Sequence, residues 1–261
     1  MTDHVQLAYE EIGEEQARSL VLLHGFCGSR AYWSALHKPL GAQYRVIIPD
    51  LRGHGQSGAP DAPYTIDAMA YDVAALIRQL RLEKPIVLGH SLGGYITLAL
   101  AEQNPQLLSG FGLIHSTAFP DTEPAKANRD KAIATIREQG IRPFVDGLIP
   151  KLFAPAHLAS MADRVQAAVE IGYGTPALGA IHTTQAMRDR VDRNHVLREA
   201  SVPVLLVAGA QDQIIPVEKT FSVQGDHITQ TRLETAGHMS LMESPDELSA
   251  ILLSFGQRVH G

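Results

Sequence analysis

The sequence predicts an α/β protein: a mostly parallel central sheet with helices on both faces, and a helical segment inserted between two of its strands. Three observations carry this. Short runs rich in Val, Ile and Leu recur along the chain, each followed by a glycine-rich or polar turn and then by apolar residues at helical spacing. From about Thr117 to Arg198 the alternation stops and only the helical pattern continues. The chain has 261 residues, 45% apolar and 19% charged, which suffices for a sizeable core and lies far from the signature of disorder.

The strand candidates, in order, are residues 20–24, 45–50, 85–90, 110–115, 203–209 and 230–235, with 6–12 as an added antiparallel edge. Between the second and third, Ile66, Met69, Ala70, Val73, Leu76, Ile77 and Leu80 recur at steps of three and four, the period of an amphipathic helix. Thr65 is its expected N-cap. Helices are also expected over 93–104, closed by Pro105, and over 245–259. The 117–198 stretch is expected to break at Pro143, Pro150, Pro155 and Pro176. A structureless loop of about eighty residues would be improbable in a compact domain. The expected organisation is therefore a core domain of residues 1–116 and 199–261 with a helical cap at 117–198.

Composition also excludes functions. Twenty-two Lys and Arg against twenty-eight Asp and Glu give a formal net charge of -6, with no long block of either sign, so no nucleic-acid partner is expected. Cys27 is the single cysteine, and no CxxC or Cys/His cluster suggests a metal; a reducing compartment fits. The segment Met1 to Glu15 lacks the basic start and apolar run of a signal peptide. No stretch approaches the ~18 apolar residues of a membrane span. The expectation is a cytoplasmic protein without a membrane partner, monomeric or homodimeric.

The chemistry is carried by Gly89-His90-Ser91-Leu92-Gly93-Gly94, which ends the third parallel-type strand and opens a helical stretch. G-x-S-x-G in this context forces the serine into a strained strand-to-helix turn and holds its hydroxyl above the sheet. The amide of Leu92 then stands at a helix N-terminus, where it can stabilise an oxyanion. A serine hydroxyl needs a base, itself oriented by a third group. His238 follows the last strand candidate and Asp212 the one before it, on the edge where Ser91 also stands. The chain order Ser, Asp, His fits the same template. Asp121 is a rival acid, but the preceding strand ends in His115-Ser116-Thr117 with no carboxylate at its tip. The turn His24-Gly25-Phe26-Cys27-Gly28-Ser29 is expected to supply the second oxyanion donor from the amide of Phe26. Cys27 reads as a small packed residue, since no base or cationic cluster flanks it.

With these motifs in hand, the chain resembles an α/β-hydrolase of the small, capped esterase type over nearly its full length. The matching parts are the His24-Gly25 loop, the segment Asp50-Leu51-Arg52-Gly53-His54-Gly55-Gln56-Ser57, the turn at Ser91, the helical cap, Asp212 and Gly237-His238. The resemblance implies a serine hydrolase working through an acyl-enzyme with no metal and no organic cofactor, and it makes the segment from Asp50 a structural loop beside the serine turn. That segment runs on to Gly58 and so contains a decoy, G-x-G-x-x-G after a strand, as a dinucleotide site would have. The residues after it, Ala59-Pro60-Asp61-Ala62-Pro63, open no helix to face a pyrophosphate.

The expected reaction is hydrolysis of carboxylic esters of small to medium acyl chain, with water as second substrate. Serine at position 91 departs from the aspartate of haloalkane dehalogenases and epoxide hydrolases of this fold. Carbon-carbon hydrolases acting on vinylogous diketones and cofactor-free perhydrolases share the apparatus. Their relatives commonly show Asn before the serine or Trp after the HG pair, where this chain has His90 and Phe26. A reading of a different class, a ligand-binding receptor that keeps the triad, is separated from an enzyme by testing hydrolysis. Phe26, Phe119, Phe144, Leu148 and Met239 are the candidate substrate-contacting residues.

Overall fold

A computed structural model describes residues 4–261. Seven strands form one sheet in the order β1-β3-β2-β4-β5-β6-β7: β1 Tyr9–Ile12, β2 Ser19–Leu23, β3 Arg45–Pro49, β4 Ile86–His90, β5 Gly110–Ile114, β6 Val204–Gly209 and β7 Ile228–Leu233. β1 runs antiparallel to β3, and every other pairing is parallel. The α/β sheet expected from the apolar runs is the one observed. β2, β4, β5 and β6 are buried along their whole length. Strands covered on both faces keep continuous apolar runs in place of alternation, which is why they can be found in the sequence.

Successive side chains divide between the two faces. In β2, Val21 and Leu23 join the core on one side, with Ile66, Met69, Val73 and Ile96. Leu20 and Leu22 join the other, with Trp33, Leu248, Leu252 and Phe255. The first face is covered by α2 Ile66–Gln79 and α3 Leu92–Gln103; α1 His37–Gly41 and α12 Pro245–His260 pack beside each other on the second. α2 starts where its N-cap lies, with the hydroxyl of Thr65 accepting from the amide of Ala68 at 3.0 Å.

Six helices stand between β5 and β6: α4 Glu123–Gln139, α5 Ile141–Leu152, α6 His157–Ser160, α7 Ala162–Tyr173, α8 Ala177–Arg188 and α9 Asn194–Arg198. α4 packs on α8, and α5 on α7. Two of the expected proline breaks are not breaks. Pro143 lies in the first turn of α5, where an amide would have no helical acceptor, and Pro150 lies in its last turn. Pro155 follows α5, and Pro176 is the N-cap of α8. β7 begins two residues earlier than its apolar pattern indicates, because its half-exposed sequence Ile-Thr-Gln-Thr-Arg-Leu pairs on one side only. The short helices α10 Val217–Thr220 and α11 Ser240–Glu243 follow β6 and β7.

Sequence order and sheet order diverge at β2, which lies between β3 and β4. The crevice beyond the carboxyl ends of the strands at such a switch point is where ligands bind in open α/β sheets. The loops after β2 and β4 enter it from adjacent strands, and those after β5, β6 and β7 continue along the same edge. Among the described residues no helix is long and apolar enough to cross a membrane.

Candidate active site

Ser91 is held in the turn from β4 to α3 with φ 51° and ψ −112°, a conformation L-residues rarely adopt. The turn is pinned on both sides. The amide of Ser91 donates to Ile114 O at 2.9 Å, and the hydroxyl of Ser116 donates to Ser91 O at 2.7 Å. A side chain at Gly89 would put its Cβ 2.1 Å from Gly93 O, so the sharp turn requires glycine there. Leu92 is the first residue of α3. Among the described residues neither its amide nor that of Phe26 has an acceptor. The two loops touch, since a Cβ on Gly25 would lie 2.7 Å from Nδ1 of His90 and 3.4 Å from Cβ of Ser91.

The candidate acid and base meet at the far end of the edge. Nδ1 of His238 lies 2.7 Å from Oδ2 of Asp212, and both side chains are almost wholly buried. The other oxygen of Asp212 accepts from the amides of Ile214 and Ile215 at 2.8 and 3.0 Å. Burial opposes ionisation of Asp212, but attraction to His238 and His115 outweighs it and holds the carboxyl below its ordinary value. Asp121, the rival acid, is elsewhere: it pairs with Arg129 and Arg190.

The backbone of His238 is fixed from three directions. Its amide donates to Leu152 O at 2.7 Å, and its carbonyl is 2.8 Å from Nε2 of His90. The carboxylate of Glu243 accepts from the amides on either side of it, Gly237 at 2.9 Å and Met239 at 3.1 Å, and from Ala154 at 2.7 Å. Glu243 is a residue the sequence reading missed. The signal for it was a lone acid in the apolar stretch Leu241-Met242-Glu243.

Three imidazoles cluster here, His90, His115 and His238, with ring centroids 5.1 to 6.0 Å apart. Burial, reinforced for His90 by the neighbouring histidines, pushes His90 well below the usual imidazole value, and burial also lowers His115. Behind them His24 accepts from the amide of Leu51 at 2.9 Å and lies 2.8 Å from Gly25 O, bracing the Phe26 turn. Asp50 accepts from the amides of Arg30 and Gln56, and Arg52 forms a bidentate pair with buried Asp72. The glycine run from Gly53 closes on itself, Gly53 N donating to Gly58 O at 3.0 Å, and no helix opens before Ile66.

Ser91 and His238 open on one cavity of about 60 Å3, lined also by Phe26, Tyr95, Arg129, Leu148 and Met187. Among the described residues no hydrogen bond yet joins the hydroxyl of Ser91 to His238. Contacts of this kind are often long in a free enzyme. Of the other candidate contact residues, Phe144 packs against Phe26 with ring centroids 5.9 Å apart. Phe119 lines an adjoining chamber of about 470 Å3. Met239 lies away from both cavities, wholly buried in the core with Trp33 and Leu241, because the chain turns its side chain inward directly after His238. Cys27 is fully buried, and burial raises its thiol far above the usual range.

Comparison with known proteins places this geometry in context. A profile of the alpha/beta hydrolase fold matches residues 18–245. The chain is 31% identical, over 95% of its length, to the dihydrolipoyllysine-residue acetyltransferase component of the acetoin cleaving system of Pseudomonas putida, and spans 66% of that protein. It is 29% identical, over 92% of its length and 89% of the relative's, to 3-oxoadipate enol-lactonase 2 of Acinetobacter baylyi. Among solved structures, a thermophilic esterase from Thermogutta terrifontis superposes with a TM-score of 0.93 at 29% identity, covering 98% of this chain and 95% of that one.

Proposed function

The chain belongs to the alpha/beta hydrolase fold family, whose members similar to it include esterases and an enol-lactonase, and from that premise we propose that it is a serine hydrolase cleaving carboxylic esters through an acyl-enzyme on Ser91. The hydroxyl of Ser91 attacks the ester carbonyl carbon while Nε2 of His238 takes its proton. Asp212 fixes the ring through Nδ1 and stabilises the imidazolium that forms. The amides of Phe26 and Leu92 receive the oxyanion of the tetrahedral intermediate. Collapse expels the alcohol with the proton that His238 returns. A water molecule then repeats the attack on the acyl-serine, and the acid leaves as the hydroxyl of Ser91 is restored.

One observation carries this reading: the 2.7 Å contact between His238 and Asp212 belongs to an imidazole that shares a cavity with Ser91. The cap role proposed for residues 117–198 is supported by the same cavity, since Leu148 and Leu152 of α5 and Met187 of α8 line it together with Ser91. A lactone, being an internal ester, meets the same groups. The test is hydrolysis of p-nitrophenyl acetate and butyrate by the purified protein and by Ser91→Ala. Loss of turnover in the variant supports the proposal, and equal rates would sink it in favour of a receptor-like role.

A further inference from the structure

Tyr95, Arg129 and Ile214 line both the cavity at Ser91 and the chamber of about 470 Å3 beside it, so the two spaces meet along these side chains. The charge of the larger space is one-sided. Arg129, Arg190 and Lys219 line it against a single carboxylate, Asp121.

The three cations are not equivalent. Arg190 is held through two of its nitrogens and its planar face: Nη1 lies 2.6 Å from Asp121 Oδ1 and donates to Met187 O, Nε donates to Phe119 O, and the guanidinium sits 4.2 Å from the ring centroid of Tyr95. Arg129 makes one bond, from Nε to Asp121 Oδ2 at 3.0 Å. Among the described residues its two terminal NH2 groups have no acceptor. Lys219 has no carboxylate within ion-pair distance among the described residues, and its Nζ rests 4.6 Å from the ring centroid of Phe119. The side chain of Asp121 is only 6% exposed and answers both arginines, which leaves the chamber with a positive surplus.

A guanidinium anchored through Nε, with its outer nitrogens open, presents the planar fork that matches a carboxylate. Phe119, Ile214 and Tyr95 line the chamber with apolar surface beside the guanidinium, which strengthens such a pair relative to open water. We propose that this chamber is the acid-binding half of the substrate site: the substrate is an ester bearing a free carboxylate, which Arg129 binds and Lys219 attracts while the ester carbonyl lies at Ser91. Arg129 is then a specificity-determining residue. The proposal rests on the serine hydrolase reading for the position of the ester, but the anion site is testable without turnover.

The test compares an acid with its neutral counterpart in two arms. Mono-p-nitrophenyl glutarate against p-nitrophenyl pentanoate places the carboxylate on the acyl side; 4-acetoxybenzoate against phenyl acetate places it on the alcohol side. In at least one arm the acid should show kcat/KM about tenfold higher, chiefly through KM. Arg129→Met should bring that ratio close to one, and Arg129→Lys should keep part of it. The ratio within one protein is unmoved by a general loss of fold or chemistry. In parallel, glutarate should raise the melting temperature of Ser91→Ala, and not that of the Ser91→Ala, Arg129→Met double variant. No acid preference in either arm, or a preference and a glutarate shift that both survive Arg129→Met, overturns the proposal. An Arg129-dependent glutarate shift in a protein that hydrolyses none of the four esters would instead keep the anion site and remove the serine hydrolase reading.

Discussion

Nδ1 of His115 stands 3.6 Å from Oδ2 of Asp212, the same oxygen that Nδ1 of His238 reaches at 2.7 Å. The first distance is longer than a hydrogen bond, yet it puts a second imidazole on the acid, with its far nitrogen 2.7 Å from the hydroxyl of Ser240. Removing that ring leaves one side of the carboxylate uncovered and takes a buried polar neighbour from Oδ2, while the amides of Ile214 and Ile215 still hold Oδ1. His115→Ala is expected to lower kcat about tenfold with KM little changed; equal kcat in the two proteins would show that Asp212 is held without it.

Asp212 and Glu243 act on His238 in different ways, and their variants should differ accordingly. Asp212→Asn leaves the loop intact but loses the charge that stabilises the imidazolium, so kcat should fall roughly a thousandfold or more with the melting temperature nearly unchanged. Glu243→Ala leaves the amides of Ala154, Gly237 and Met239 without their acceptor. At about 1 to 3 kcal/mol for each buried unpaired group, it should lower stability and activity together. Steady-state kinetics and urea unfolding on both variants distinguish the two effects.

Acid should destabilise the fold before it reaches the carboxylates. Burial, with His54 nearby, holds His24 down at about 3, and burial holds His54 at about 4. Both side chains are therefore neutral in the native state at pH 5, whereas in the unfolded chain they are charged below about 6.5. The unfolded state binds more protons in this window, so stability rises with pH up to about 6.5 and is lost as pH falls below it. Each contributes on the order of 2 kcal/mol between pH 7 and pH 5. Urea midpoints should drop over that interval; a flat profile would contradict the burial of these rings as neutral groups.

The buried pair of Arg52 and Asp72 ties the loop after β3 to α2. Asp72 is 1% exposed, takes Nε and Nη2 of Arg52 at 2.7 and 2.8 Å, and also accepts from the amide of Val5. Asp72→Ala removes the carboxylate from a buried ion pair and should cost about 3 to 5 kcal/mol, read by urea unfolding.

What the sequence discloses depends on whether a constraint is local. β2, β4, β5 and β6 are legible because burial on both faces writes a continuous apolar run into each. Ser91 is legible because the turn needs glycine at 89 and 93 on either side of it, and Asp212 and His238 because both sit at strand ends. Glu243 is not legible because it caps the amide of Ala154, 89 residues earlier. Arg129 is not legible because, although its partner Asp121 is near in sequence, the cavity it lines belongs to distant Ser91 and His238. Pro143 and Pro150 misled because a proline within the first or last turn of a helix looks the same in sequence as one that ends it. Met239 adjoins His238 in the chain, but one residue of backbone turns its side chain to the opposite side.

The account depends above all on Ser91 being the nucleophile, and the most direct measurement is the intact mass of the protein after treatment with a phosphonofluoridate ester, followed by peptide mapping. One adduct on Ser91, absent from Ser91→Ala and greatly slowed in a His238→Ala variant, is the predicted result. A protein that stays unmodified, or carries its adduct on another residue, would contradict it.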